Sequence, residues 1–422
     1  MKTLRIGLCG TGNVGYAFAE TIIKSNPLIK KNYGIDVSLS MIGARKGKVL
    51  GLETIPVTKD IQEVPLSDDV DVVVELIGGI DDAYELAKST FNNKKHFVTA
   101  NKALIATHSK ELFELAKQNS VHFGFEASVA GGIPIIRIIR DGLMSNKINS
   151  FAGILNGTSN FIFSKMADEG LPFDTALSLA QKEGFAEPDP TFDISGQDAA
   201  QKTSILATLS FFKHAVIENI YFEGIDKVTP QDINFGKQLE LILKPLSVGQ
   251  LSEDKITLGS FPAFVKEKSL LASIENESNA VLMNAENVGE TMYAGPGAGA
   301  KPTANSVLSD IIDIATGKIF DYQKFVESPL ASSFENFSCD HYLRFIVSDE
   351  PGVVAKISTV LAANNLSIDN LIQNELDRED DAIPLVIVIS NSKEKIMQNT
   401  ISDLQKLPEV KNSISHIRIL DI

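Results

Sequence analysis

Cysteine is nearly missing from this chain, with two in 422 residues. That is too few for a disulfide framework or a cysteine-built zinc site, and it fits a reducing compartment. Positive charge is also short, 39 Lys and Arg against 54 Asp and Glu, for a net charge of −15. Holding nucleic-acid phosphates takes a basic face that this balance does not offer, so no nucleic-acid partner is expected. No run of about 18 uncharged apolar residues occurs, so no membrane-spanning helix is expected. The opening, MKTLRIGLCGTG, runs its hydrophobic stretch straight into a glycine loop and lacks the apolar core and cleavage site of a secretion signal. These absences together point to a cytoplasmic protein with no membrane partner. What is present is core material: 44% of residues are apolar. At roughly 150 residues per domain the length suggests two to three domains.

Three compositional regions follow along the chain. From Leu4 to about Ala130, short apolar runs (LRIGLCG, DVSLSMIGA, DVVVELIGG, HFVTA, VHFGFEAS) alternate with helical stretches. Such runs, bounded by Gly and Asp, suit parallel strands buried on both faces, and the fold class expected is α/β with a doubly wound, Rossmann-type sheet over residues 1–130. Residues 131–325 mix helices such as DAAQKTSILATLSFF with strands such as KITLGSFPAFV, an α+β region; its chain is expected to return to the first domain near 294–318. Cys339 reads as part of a linker. Residues 341–422 then run β-α-β-β-α-β, the ferredoxin-like order.

Gly10, Gly12 and Gly15 form GTGNVG, with Thr11, Asn13 and Val14 between them, directly after an apolar strand and before a helix. Placement gives the motif meaning: without Cβ atoms the backbone can turn sharply and approach a pyrophosphate, whose charge sits at the helix N-terminus. An ordinary tight turn is the bland alternative. NAD is usually held through its ribose 2′-hydroxyl by a carboxylate ending the second strand, whereas a 2′-phosphate calls for a basic group. Here the strand ends in Ala44, Arg45 and Lys46, and Asp36 stands too early to serve. NADP is therefore the expected cofactor, with NAD the alternative.

The segment GFAEPDPTFDISGQDAAQK, Gly184 to Lys202, concentrates polar chemistry. Pro188 and Pro190 stiffen a loop that carries Glu187, Asp189 and Asp193. The helix after it places Asp198 and Lys202 on one face at i, i+4 spacing. A solvated ion pair is the default reading of such a pair. Against it stand the stiff loop and the apolar continuation of the helix, which suit carboxylates that hold an ammonium-bearing carbonyl substrate beside a proton donor.

GTGNVG, TANKALIA, EASVAGGIP, ILNGTSN, GFAEPDP…DAAQK and AGPGAGAKPTA, in this order, resemble the homoserine dehydrogenases over nearly the whole chain. Ser159 stands where a second Thr is more usual. The last unit, with VSDEPGVVAKIS, resembles an ACT domain. The resemblance implies reversible NAD(P)H-dependent reduction of L-aspartate 4-semialdehyde to L-homoserine, in threonine, methionine and isoleucine biosynthesis. It implies Lys202 as the acid at the substrate oxygen, with Lys102 beside cofactor and substrate. Glu187, Asp193 and Asp198 would hold the substrate, and Gly184 and Gly299 would lie against the cofactor. A lysine next to a carboxylate favours its charged form, which leaves a water relay or an electrostatic role open for Lys202. The carbonyls of Glu126, Val129, Gly131 and Ile133 would bind a monovalent cation, Na+ by expectation. The ACT resemblance implies an amino-acid effector, threonine first among candidates, near Asp349 to Gly352, and a homodimer or homotetramer. Deleting the chain from about Asp340 is expected to remove the inhibition and spare activity.

Two rivals remain at this level. An aldehyde dehydrogenase acting on the same semialdehyde would need a thiolate nucleophile, and neither Cys9 nor Cys339 is well placed for one. A non-catalytic cofactor and amino-acid sensor would have no use for Lys102, Lys202 and the acidic loop together.

Overall fold

The computed structural model describes residues 2–45, 51–252, 255–318, 333–373 and 382–422. They fall into two compact units. The first takes in residues up to Asn149, then Gln201–Glu218, then the segment beginning at Asn279. The second comprises Ser150–Ala200, Asn219–Ser278 and the chain after Ala331.

In the first unit six parallel strands lie in the order β3-β2-β1-β4-β5-β6. They are β1 (Lys2–Cys9), β2 (Ile35–Gly43), β3 (Val57–Thr58), β4 (Val72–Glu75), β5 (His96–Thr99) and β6 (Phe123–Gly124). This is the Rossmann order, with its topological switch between β1 and β4. Parallel strands need cover on both faces, and the burial of Ile6, Leu8, Val37, Val72 and Val74 follows from it. Helix Asn13–Tyr33 and helix Ala300–Thr316, the latter from far along the chain, pack Phe18, Ile22, Val307 and Ile311 into that core. VHFGFEAS yields only the two-residue β6, because Glu126–Ser128 turns into a 3-10 helix.

The second unit is built on a sheet in the order β7-β9-β10-β16-β13-β15-β14. Its strands are β7 (Ile148–Ile154), β9 (Leu241–Ser252), β10 (Lys255–Lys266), β13 (Ser338–Ser348), β14 (Ile368–Gln373), β15 (Ala382–Lys393) and β16 (Ser415–Leu420), with β8 (Tyr221–Phe222) pairing β10. The intervening β11 (Ser278–Ala285) and β12 (Gly289–Pro296) lie in the first unit apart from Ser278. The last four strands and helices Val353–Ala363 and Glu394–Leu404 form the ferredoxin-like arrangement read from the sequence. Cys339 belongs to β13, not to a linker, since its pairing opposite Ser392 starts the strand earlier than the sequence suggests.

This C-terminal sheet does not end at its own edge. β16 pairs in parallel with β10, through Ala263↔Arg418, Phe264↔Ile419 and Val265↔Leu420. Alternation along β13 sends Leu343, Phe345 and Val347 under the unit's own helices. Tyr342 goes to the opposite face, into a core shared with Phe161, Phe163, Ile233 and Phe264. Each face also receives one buried arginine. Arg344 spans both carboxylate oxygens of Asp232, at 2.7 and 3.0 Å, and Nη2 also donates to Thr229 Oγ1. Arg418, fully buried, donates to Glu394, Glu223 and the Tyr221 hydroxyl, with Tyr221 and Phe261 rings against its guanidinium. Deletion from Asp340 would strip both arginines and four strands of this sheet, so it tests folding before it tests regulation.

Replacing Arg344 with Met strands the Asp232 charge in an apolar core. Urea unfolding should show a loss of about 3–5 kcal/mol, and adding Asp232→Leu should restore most of it. A single variant within about 1 kcal/mol of wild type would show that the pair does not hold the two parts of this unit together.

Candidate active site

In the first unit the nucleotide loop is shaped by contacts that leave no room for side chains. Gly10 sits at φ 100° and donates to the Gly43 carbonyl at 3.0 Å; a Cβ there would meet Leu76 O at 2.4 Å. A Cβ at Gly15 would lie 2.1 Å from Gly10 O, so the helix could not close on the turn. Gly12 differs, because a Cβ there would meet only open space. Nothing among the described residues requires that glycine, whereas a phosphate approaching the first turn of helix Asn13–Tyr33 would. Leu76 N donates to Cys9 O at 2.8 Å, which brings the loop after β4 against the GTGNVG loop at the switch point.

Arg45 lies just past the end of β2, its side chain 91% exposed and 3.6 Å from Asp82. Lys46 lies outside the described residues. Asp36 is within β2, at the end away from the loop, and binds Lys30 and Asn26, which together hold its carboxyl below the usual range. Lys102 opens helix Lys102–Gln118 directly after β5, with Asn101 as the cap accepting from Leu104 N.

Two buried residues behind this edge escaped the sequence reading. Glu75 ends β4, accepts from Ile77 N and Gly78 N, and takes a 2.5 Å hydrogen bond from Thr99 Oγ1 at the end of β5. Burial pushes its carboxyl upward. Asn101 N in turn donates to Thr99 Oγ1 at 2.9 Å, so Glu75 and Thr99 fix the start of the helix that carries Lys102. A carboxylate closing an otherwise apolar strand, VVVE before GG, was the available signal.

Glu126 is buried in a turn of the same unit. Its carboxylate accepts from Ile136 N and Arg137 N, both at 2.9 Å, and its own N–H donates to Asp310. Burial pushes both carboxyls up, with the Asp310 charge adding to the rise at Glu126. Ala130 and Gly131 both take positive φ, and Gly131 O accepts from Ser306 Oγ at 2.7 Å. Glu126, Val129, Gly131 and Ile133 are buried along residues 126–133, and the Ile133 carbonyl accepts from Ile135 N at 2.8 Å. Gly299, at φ 113°, caps helix Ala300–Thr316.

In the second unit the acidic residues are gathered by Asn156, another residue the sequence reading passed over. As the cap of helix Gly157–Glu169 its Oδ1 accepts from Ser159 N, and its Nδ2 donates to Asp193 Oδ1 and Asp198 Oδ2, each at 2.8 Å. Asp198 is buried and Asp193 half-buried. The segment expected as a loop contains a helical turn, Thr191–Ile194, because Asp189 accepts from Thr191 N and Oγ1 and starts it. Ser159 keeps a hydroxyl contact, 3.3 Å to Asp193 O. Gly184 ends helix Phe173–Glu183 at φ 82°, and Glu187 is exposed beyond it. Helix Gln197–Phe211 carries Asp198 in its first turn and Lys202 one turn later, and the boundary between the units falls between them. The structure therefore joins Asp193 to Asp198, and sets Glu187 apart from them on the surface.

Both thiols are free and buried, and burial raises them, that of Cys339 to about 12. Neither offers the thiolate that acyl transfer from an aldehyde needs.

Comparison with known proteins agrees with this geometry. The family model described as "Homoserine dehydrogenase, NAD binding domain" matches residues 10–126, "Homoserine dehydrogenase" matches 134–312, and "ACT domain" matches 341–409. The homoserine dehydrogenase of Pseudomonas aeruginosa is 38% identical over 99% of each chain. The crystal structure of a homoserine dehydrogenase from Thiobacillus denitrificans superposes with a TM-score of 0.93 at 35% identity, over 100% of this chain and 99% of that one. A hyperthermophilic archaeal homoserine dehydrogenase in complex with NADPH matches at TM-score 0.64 and 27% identity, over 75% of this chain and 98% of that one. Sequence and fold agree: the chain belongs to the homoserine dehydrogenase family of oxidoreductases, with an N-terminal NAD-binding domain and a C-terminal ACT domain.

Proposed function

We propose that this enzyme reduces L-aspartate 4-semialdehyde to L-homoserine, reversibly, with NADPH as the preferred hydride donor, as a cytoplasmic step toward threonine, methionine and isoleucine. The observation that carries this reading is the Asn156 bridge, which fixes Asp193 and Asp198 at the start of the helix bearing Lys202. A bound NADPH supplies the hydride for the aldehyde carbon. Asp198 and Asp193 hold the substrate's ammonium group, and Glu187, exposed at the end of its loop, adds a third carboxylate. Lys202 delivers the proton to the carbonyl oxygen, directly or through a water, and stabilises charge as it develops there. Lys102, at a helix start on the carboxyl edge of the parallel sheet, stands where ligands bind in such folds.

Gly10, Thr11, Gly12, Asn13, Val14 and Gly15 cradle the pyrophosphate, with Gly184 and Gly299 giving room along the rest of the dinucleotide. Selectivity for the 2′-phosphate rests on Arg45, with Lys46, because no carboxylate ends β2. The carbonyls of Glu126, Val129, Gly131 and Ile133 would hold Na+, whose charge would sit beside the buried Glu126 and Asp310 carboxyls. In the C-terminal unit Gly352, at φ 97°, leads into helix Val353–Ala363, and this turn takes an amino acid by its carboxylate, threonine by our reading. β14 forms the outer strand of the sheet and its central residues are exposed, which supports pairing of copies into a dimer or tetramer.

Lys202→Ala should lower kcat at least 100-fold, about 3 kcal/mol, with NADPH affinity within a few-fold of wild type. Near-normal kcat would remove Lys202 from the chemistry.

Arg45→Ala combined with Lys46→Ala should raise the Kd for NADPH by an order of magnitude or more and leave NADH nearly unaffected, since only NADPH carries the extra dianion. Equal losses for both nucleotides would reject this selectivity device.

Millimolar threonine should inhibit the full chain, and Gly352→Asp, by setting a carboxylate at the helix start, should raise the threonine needed at least tenfold. Indifference of the wild type to threonine would rule out this effector.

A further inference from the structure

Outside the reaction site, His341, Glu394 and His416 form the one metal-ligand-like cluster among the described residues, each offering a ligand atom within 4.8 Å of the others. They come from three elements of the C-terminal unit. β13 and β16 pair with His341 opposite Arg418 and Leu343 opposite His416, so the two histidines are diagonal neighbours on the helix-covered face. Glu394 is the first residue of the helix that covers it.

The orientation of the rings is informative. His341 Nδ1 lies 2.9 Å from His416 Nε2, while His341 Nε2 lies 3.1 Å from the Ser392 carbonyl. A carbonyl can only accept, so the neutral His341 ring carries its proton on Nε2 and turns the Nδ1 lone pair toward His416. A histidine whose far nitrogen is fixed by a carbonyl is the arrangement that metal-binding imidazoles adopt. In the metal-free protein that Nδ1 lone pair accepts from His416 Nε2–H, so an ion binding between the rings displaces this proton from Nε2.

Glu394 completes the set without giving up its other partners. Its Oε1 accepts from Arg418 and Gln398, and its Oε2 from Arg418 alone, so a lone pair remains on Oε2. Arg418 also meets Glu223 at 2.8 Å, so the two carboxylates outweigh the one guanidinium beside the cluster. His416 is half-buried and gives solvent a way in.

We propose that His341, His416 and Glu394 bind a divalent transition-metal ion that clasps β13, β16 and helix Glu394–Leu404 together. Two imidazoles and a carboxylate select Zn2+, Co2+ or Ni2+ over Mg2+ and Ca2+. Ligand atoms of a tetrahedral zinc stand about 3.3 Å apart, so the rings part by a few tenths of an ångström while the Glu394 oxygen, within 4.8 Å of them, closes in to meet the ion. Water fills the fourth position. The ion is structural: it links strands to their covering helix and takes no part in hydride transfer.

The test uses the full chain stripped with chelator, titrated with ZnCl2 by calorimetry and with CoCl2 by visible absorption. One ion per chain with a micromolar or lower Kd is expected, together with a Tm raised by several degrees on zinc loading. His416→Ala and His416→Gln should weaken binding at least 30-fold, and His214→Ala should not. X-ray absorption of the zinc-loaded wild type should show imidazole nitrogen and carboxylate oxygen ligands, a readout independent of how the variants fold. Absence of stoichiometric binding by the wild type, binding that survives His416→Ala, or a coordination sphere without imidazole would each overturn the site.

Discussion

The parallel pairing of β10 with β16 is the constraint on which the second unit depends. It makes one sheet of two sequence regions that composition separates, and it sets a buried arginine on each face of the junction. A guanidinium taken out of water without partners is prohibitively costly. Arg344 and Arg418 are tolerated because each finds carboxylates from elements distant in sequence: Asp232 for the first, Glu394 and Glu223 for the second. Their exposed alternatives would be cheap, so burial enforces register. A slip of β16 by one residue would send Arg418 into the face that receives Ile417 and Ile419.

The same junction is linked through Glu223 to the segment that carries the proposed substrate residues. Arg418 holds Glu223, whose carbonyl would be 2.8 Å from a Cβ on Gly196. Ile225 N donates to Ile194 O, and Ala200 N to Gly196 O, which ties the Thr191–Ile194 turn to the start of the helix with Asp198. A set of hydrogen bonds and one close backbone approach therefore connects the last strand to the acidic cluster. Contiguity alone is not coupling, which only a double-mutant cycle between Glu223 and a substrate residue would measure. It does explain why this segment is ordered: the Asp193 and Asp198 carboxylates are set by Asn156 from one side, and the backbone at Ile194 by Ile225 from the other.

Much of this was legible in the sequence, and for a physical reason. GTGNVG could be read because glycines mark places where backbone meets backbone, a constraint local enough to survive without coordinates. The alternation of apolar runs with helices gave the parallel sheet, and the β-α-β-β-α-β order gave the C-terminal unit. The features that escaped depend on partners distant along the chain. Asn156 is one asparagine among many until Asp193 and Asp198 fold against it, and Glu75 is a strand-ending acid until Thr99 arrives beside it from β5. Cys339 looked like linker because its strand partner, Ser392, lies 53 residues downstream. The joining of two sheets left no trace in composition, since β10 and β16 each read as an ordinary strand.

The placement of Lys202 shows what the apolar continuation of its helix accomplishes. Beyond Lys202, Thr203 to Phe211 are all buried, a full turn-by-turn enclosure unusual for a helix that starts at a polar site. Such a helix has no amphipathic freedom to rotate, because every direction around its axis is already packed. Asp198, in the first turn of the same helix, is buried and held by Asn156. A flexible four-carbon side chain thus starts from a backbone position whose helix is enclosed on every side beyond it. The proton delivery proposed for Lys202 tolerates errors of about 0.5 Å, a tolerance that the packed helix beneath the lysine helps to meet.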